Sequence, residues 1–306
     1  MTSSLSRYAV LRPGTDDVGG PPQTSTFLLD VFQLTSGHTR PAGIRQRVRP
    51  KRGTHHEHDS GDWRDRDDGR HAVPLLQAAG CKVRVLSRHA HDRGDGVEYL
   101  AVDLLKGDGL DQAVDGVDVI LHLAGGPKGD DIGTRNLVKA AEQAGVGHLV
   151  HISVTAVDQL PLTYFKSKLG AEQAVLQSSV PSSVLRVAQL HDFAWNTARM
   201  MAKLPVLPMP GGVRFQPVDG RDVAQRLVEL ALGEPQGLVP DLVGPKVYSL
   251  SELAHDYLRA TGKHRLSLPI RVPGKAGKVY RAGANLTLTG ADIGTHTWED
   301  FVAAQV

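Results

Sequence analysis

The stretch Val117–Ser153, VDVILHLAGGPKGDDIGTRNLVKAAEQAGVGHLVHIS, decides how the rest of the 306-residue chain is read. Val117–Leu123 is a mostly apolar run of strand length, and His148–Ile152 is a second one. Between them Gly133–Ala144 carries a helical pattern that stops at Gly145. Strands that are apolar on both faces belong to a parallel sheet covered on both sides. A helix joining two such strands makes a right-handed crossover.

The same alternation extends in both directions. Ala72–Ala79 reads as a helix closed by Gly80, followed by strands at Lys82–Leu86 and Glu98–Val102. Downstream come a helix over Thr163–Gln177 and a strand at Ser183–Val187. The pattern predicts a doubly wound, Rossmann-like α/β domain over residues 71–306, with its ligand at the carboxyl ends of the strands. Residues 191–306 are turn-rich, with helices at Asp219–Leu232 and Ser251–Thr261, and are expected to form a small substrate-binding part.

Composition removes several function classes. Lys and Arg total 35 against 33 Asp and Glu, so net charge gives no general attraction to nucleic acid or anionic lipid. The single cysteine, Cys81, rules out an intrachain disulfide framework and fits a reducing compartment. It begins an apolar run and reads as a structural thiol. No apolar stretch approaches the roughly eighteen residues of a membrane span, and Met1–Arg12 lacks the build of a signal peptide. The expectation is a cytoplasmic protein.

Composition changes sharply near Gly69. Before it the chain is rich in Pro, Gly, Thr, Arg, His and Asp, with one short apolar patch at Phe27–Leu34. Such a segment buries too little apolar surface to offset its ordering entropy, so disorder is expected over residues 1–70. A doubly wound sheet should open with a strand and a Gly-rich turn that cradles a pyrophosphate. Neither precedes the helix at Ala72, where Gly61–Gly69 reads GDWRDRDDG.

Shifted by one base, the codons permitted for His55–Gly69 spell I-M-S-T-I-L-V-T-G-A-T-G-T-M-G, a start Met, a strand and a dinucleotide-binding turn. The Gly at Trp63 is forced, because TGG is the only Trp codon. The expectation is that residues up to about Gly69 are an out-of-frame translation. The alternative is a genuine tail, in which His55–His58 resembles a metal tract and Arg45–Arg52 a nucleic-acid patch. Neither has fixed ligand spacing or interleaved aromatic residues.

Several residues fall where a dinucleotide would lie. At the end of the second strand, Ser87 and Arg88 replace the acidic residue that accepts ribose hydroxyls, and an Arg there suits a 2′-phosphate. This favours NADP (NADPH) over NAD, with a solvated Arg as the alternative. Asp103 and Leu104 follow the third strand and are placed to border an adenine, although Asp103 also suits a helix cap. Ala124, Gly125 and Gly126 let backbone approach a cofactor.

Ser153 and Thr155 end the fifth strand, and Tyr164 and Lys168 sit four apart at the start of the next helix. In a carbonyl reduction a phenol must give a proton to the developing alkoxide. Its ordinary pKa near 10 calls for a cation one helical turn away. An ordinary exposed helix face would show the same spacing.

These stretches, with Asn136–Ser153, Val184–Phe193, Gln216–Ala224 and Val247–Ala260, resemble the atypical, NmrA-like branch of the short-chain dehydrogenase/reductase superfamily. The resemblance implies an NAD(P)-binding Rossmann-like fold. Thr155, Tyr164 and Lys168 fall on positions that orient substrate, donate the proton and lower the Tyr pKa. Ser153, Ala124, Gly125, Arg88 and Lys168 fall on cofactor contacts. Two departures stand out: the Gly-rich turn is absent, and Thr155 lies closer to Tyr164 than in sugar-modifying members.

The expected activity is hydride transfer between NADPH and a small carbonyl or quinone, in a pocket lined by Phe193, Trp195, Met200 and Met201, which serve equally well as core. The alternative is a non-catalytic NADP(H)-binding redox sensor with a protein partner. A sugar-nucleotide epimerase or dehydratase is disfavoured by the short Thr155–Tyr164 spacing. Without its first strand, the sheet is expected to have a gap at its centre, and cofactor affinity to be poor.

Overall fold

The structure is a computed structural model that describes residues 25–30, 67–87, 96–126 and 128–306. In chain order its elements begin with strand β1 (Thr26–Asp30), helix α1 (Asp67–Ala78), β2 (Lys82–Ser87), β3 (Val97–Ala101), α2 (Leu110–Val114) and β4 (Val119–His122). There follow α3 (Asp130–Ala144), β5 (His148–Val154), α4 (Thr163–Leu176), β6 (Ser182–Val187) and α5 (His191–Met201). The C-terminal part contains β7 (Val206–Pro210), β8 (Arg214–Phe215), α6 (Gly220–Leu232), β9 (Gly237–Leu238), β10 (Leu242–Val243) and β11 (Tyr248–Ser249). It ends with α7 (Leu250–Ala260), β12 (Leu266–Ile270), α8 (Gly274–Ala282), β13 (Asp292–Ile293) and α9 (Trp298–Ala303).

The main sheet is parallel and runs β13-β10-β6-β5-β4-β1-β2-β3, with β9 added beside β6. The core of that order, 3-2-1-4-5-6, is the doubly wound Rossmann-like arrangement, in which the strand order reverses between β1 and β4. The continuous apolar strands have a simple cause. Alternate residues feed two separate cores: Leu121, Val150, Leu185 and Val187 pack with Leu76 and Leu227 of α1 and α6. Ile120, Leu149 and Val184 pack with Leu137, Ala141 and Val175 of α3 and α4. A strand buried on both faces has no polar side to show.

Outside the main sheet, β7 pairs with β12 and β8 with β11. Here Trp195 and Met201 pack against the clusters around Tyr257 and Trp298, so these two are core. Phe193 and Met200, by contrast, are exposed at 56% and 67%. The four residues expected to line one pocket therefore divide, because α5 turns one face to α7 and the other to solvent.

The expected elements lie within a few residues of the observed ones, and the N-terminal expectation needs correction. The centre of the sheet is not empty. Thr26–Asp30, inside the apolar patch at Phe27–Leu34, pairs with β2 on one side and β4 on the other. Five extended residues suffice to satisfy both neighbouring ladders, which is the physical reason a patch too short to make its own core still forms a strand. The Thr26 amide also donates to Asp118 Oδ2 at 2.6 Å. Helix α1 likewise starts at Asp67, within the segment expected to be disordered. The remainder of residues 1–66, including Arg45–Arg52, His55–His58 and the place of a Gly-rich turn, lies outside the described residues, as does Arg88.

Candidate active site

The carboxyl ends of β4, β5 and β6 meet the start of α4, and the charged groups there are almost entirely buried. Lys168, one turn into α4, has its Nζ 3.1 Å from Asp130 Oδ2, with both side chains only 4% exposed. The same Nζ donates to the carbonyls of Ala124 at 3.4 Å and Ile152 at 3.3 Å. The angle to Asp130 is poor enough that Asp130 Oδ2 lacks a true hydrogen bond, so the contact is one of charge. A buried ammonium needs such a carboxylate to offset its desolvation.

Gly125 leaves room for the end of Lys168. A methyl group on it would sit 2.6 Å from Lys168 Nζ and 2.9 Å from Lys168 Cε. Gly126 is buried beside it, and Ala124 is 2% exposed.

Ser153 and Thr155 diverge, as neighbours two apart on a strand end can when the strand breaks. The Ser153 hydroxyl donates to Glu172 Oε2 at 2.7 Å, and Glu172 is gripped by Arg186 at 2.7 and 3.0 Å. Ser153 thus ties β5 to α4 and β6. The Thr155 amide donates to the Val187 carbonyl, while its hydroxyl oxygen is buried with no partner among the described residues. Directly after it, Ala156 takes a φ of 55°, a left-handed conformation uncommon for a residue with a side chain. Strain of this kind persists where the surroundings hold it, often at functional sites.

Tyr164 is half-buried on the first turn of α4, edge-on to Phe165. It shares an apolar cluster with Ala156, Leu160 and, from α8, Val279 and Tyr280. The C-terminal part therefore packs against this residue through α8. Burial pushes the Tyr280 phenol up.

Further along the edge, Ser87 ends β2 and its carbonyl accepts from the Val102 amide. Asp103 Oδ1 accepts from the Leu105 amide, so its side chain closes a turn, the capping alternative in a shorter form. Leu104 is buried in the α3 core, and its carbonyl accepts from Asn136.

Four residues of this region were not singled out from the sequence. Asp130 is one. Gln189 is another, its side-chain oxygen buried just past β6 with no hydrogen-bond partner among the described residues. His122 and His151 stack at 4.9 Å on adjacent strands under Lys168. His122 Nε2 meets Thr134 Oγ1 at 2.8 Å, while neither ring nitrogen of His151 has a well-formed hydrogen bond among the described residues. Burial, then the neighbouring His122 and Lys168, holds His151 well below the usual histidine range, so it is neutral. The acidic pair Asp130-Asp131 after Gly129 was visible as a helix start, but nothing in the spacing tied it to Lys168.

The residues present suit a nicotinamide dinucleotide. Buried oxygens of Thr155 and Gln189 that have no hydrogen-bond partner among the described residues, and Gly125 against the Lys168 ammonium, lie at the edge where this topology takes its ligand.

Comparison with known proteins agrees. Residues 67–232, more than half of the chain, match a family described as NAD(P)H-binding. The chain is 28% identical over 242 residues to the (4-alkanoyl-5-oxo-2,5-dihydrofuran-3-yl)methyl phosphate reductase of Streptomyces griseus, covering 73% of this chain and 84% of that protein. It is 26% identical to the ceramide reductase of Caulobacter vibrioides, covering 74% of this chain and 78% of that one. Among solved structures, the NADPH-dependent quinone oxidoreductase of Escherichia coli, complexed with NADPH, superposes with a TM-score of 0.64 at 17% identity, covering 78% of this chain and 95% of its own. That likeness concerns the fold.

Proposed function

The chain belongs to a family of NAD(P)H-binding proteins, and from that premise we propose that it is a reductase of the short-chain dehydrogenase/reductase type, using NADPH on a small, largely apolar carbonyl or quinone. The observation that carries this reading is the pair Tyr164 and Lys168, one helical turn apart at the carboxyl edge of the sheet, with the Lys168 ammonium held by the carbonyls of Ala124 and Ile152. Both curated relatives are named as reductases, which supports the reaction class. The preference for NADPH over NAD rests on Arg88.

When bound, the nicotinamide supplies a hydride to the carbonyl carbon. Tyr164 gives its phenolic proton to the carbonyl oxygen, so the C=O π bond is replaced by C–H and O–H bonds. Lys168 stabilises the phenolate that remains until solvent returns the proton. Thr155, whose hydroxyl oxygen is buried with no hydrogen-bond partner among the described residues, would orient the substrate oxygen.

The test is NADPH oxidation across a panel of carbonyls and quinones. Tyr164→Phe is expected to lower turnover about a hundredfold to ten-thousandfold, leaving NADPH binding by fluorescence intact. Absence of substrate-dependent turnover across the panel would overturn the reading. A second reading, a non-catalytic NADP(H)-binding redox sensor, is favoured by one observation: Asp130 already balances the charge of Lys168. It predicts different affinities for NADP and NADPH, or a protein partner whose binding depends on cofactor, without turnover.

A further inference from the structure

We propose that Asp130 is a positioning residue for the reductase site: its buried carboxylate holds the Lys168 ammonium at the edge of β4 and β5 and sets the pH range over which the Tyr164–Lys168 couple works. The inference rests on the reductase reading of the preceding section and adds to it the residue that governs the cation.

The geometry is specific. Asp130 is the first residue of α3, directly after Gly129 in a left-handed turn, and its side chain points into the sheet instead of out to solvent as a first-turn acid usually does. Among the described residues its ion-pair partner is Lys168, and Lys168's is Asp130. Its neighbour Asp131 is otherwise engaged, accepting from Ser167 at 3.1 Å and pairing with Arg135. Together these contacts lock the first turn of α3 against α4.

The other titratable groups facing the pair are accounted for. From β4, His122 is hydrogen-bonded to Thr134, and from β5, His151 is neutral. Glu172, one turn beyond Lys168 on α4, is engaged by Ser153 and by Arg186 of β6. Tyr280 of α8 approaches from the Tyr164 side. No second acid is left over to take the place of Asp130 among these groups.

The consequence has a definite sign. With Asp130 present 3.1 Å away, its negative charge cancels part of the pull of the Lys168 ammonium on the Tyr164 phenol. With Asp130 neutral, the uncancelled ammonium draws the phenol toward ionisation at lower pH, and the unpaired buried ammonium itself gives up its proton more readily. Both changes remove a proton needed for reduction, so both move the alkaline fall-off of turnover in the same direction.

The experiment compares the full chain with Asp130→Asn and Asp130→Glu. The first readout is the pH profile of NADPH oxidation with menadione as acceptor. The second is the titration of the Lys168 side chain by carbon NMR in lysine-labelled protein, assigned through Lys168→Arg. In Asp130→Asn the alkaline limb should move down by about one pH unit, a tenfold change in proton affinity, and the Lys168 resonance should titrate at lower pH than in the parent. Asp130→Glu should restore both toward the parent.

A loss of turnover or stability in Asp130→Asn with both titrations unmoved would overturn the proposal, because a merely structural residue behaves that way. If Asp130→Asn is too unstable to assay, Asp130→Ser removes the charge, leaves room for water and carries the same readouts. If the parent chain turns over neither menadione nor other quinones and carbonyls, the reductase reading fails. The lysine titration then decides the ion pair separately: a shift upholds it and an unmoved resonance overturns it.

Discussion

Single residues do most to define the candidate site. Gly125 offers the cleanest test, since an added methyl would press on the end of Lys168 and touch little else: the next contact is Asp130 Oδ1 at 3.7 Å. Lysine stems are flexible, so Gly125→Ala should fold with a near-parental melting temperature. The ammonium, displaced by about an ångström, should leave kcat/KM on the order of a hundredfold lower, measured by steady-state NADPH oxidation. That Tyr164 and Lys168 open a helix, and that Thr155 and the small residues 124–126 follow strand ends, was legible, because apolar runs and helical spacing are local signals. Asp130 was not. Its role depends on a long-range contact between two helix starts, for which local spacing holds no signal.

At the scale of elements, α6 shows how a helix start can be read from sequence while its energetics are not. Asp219 caps it, accepting from the Arg221 amide at 2.9 Å, and both its oxygens engage the Arg221 guanidinium. His191 Nδ1 lies 3.4 Å from Asp219 Oδ2 and is fully buried. Burial works to raise the Asp219 carboxyl, but the hydrogen bonds from Arg221 and His191 outweigh it and hold the group well below the usual carboxylate range. A carboxyl depressed on folding contributes stability above its unfolded pKa, and that contribution is lost as pH falls toward the folded value.

Asp219→Ala should therefore cost about 1–2 kcal/mol at neutral pH. Its thermal stability should also decline less steeply than the parent's below about pH 4, as followed by circular dichroism. The capping residue was legible as a boundary of Asp219–Leu232. The His191 contact was not, since it joins α5 to α6 through the fold.

For the whole molecule, the decisive element is β1. It joins the β2–β3 pair to β4, β5 and β6, so the two halves of the parallel sheet meet only through its backbone among the described residues. Leu28→Pro removes a ladder donor at the centre of that sheet and should destabilise the protein by on the order of 1–3 kcal/mol, measured by denaturant unfolding. An unchanged midpoint would mean that Thr26–Asp30 is dispensable. In that case the nucleotide sequence across the codons for His55–His71 becomes the next measurement, because the shifted reading of that stretch supplies a strand of its own.

Periodicity and composition were enough for the parallel α/β architecture from Ala72 onward and for the position of Tyr164 and Lys168 one turn apart on a helix that begins at the carboxyl edge of the sheet. Those features are written locally, in runs of apolar residues and in helical spacing. The strand at the sheet centre, the division of Phe193, Trp195, Met200 and Met201 between surface and core, and the burial of Lys168 against Asp130 emerged from packing. Each depends on which distant backbone offers open hydrogen bonds or which distant side chain brings an opposite charge into a dry interior, and neither quantity has a local signature in the chain.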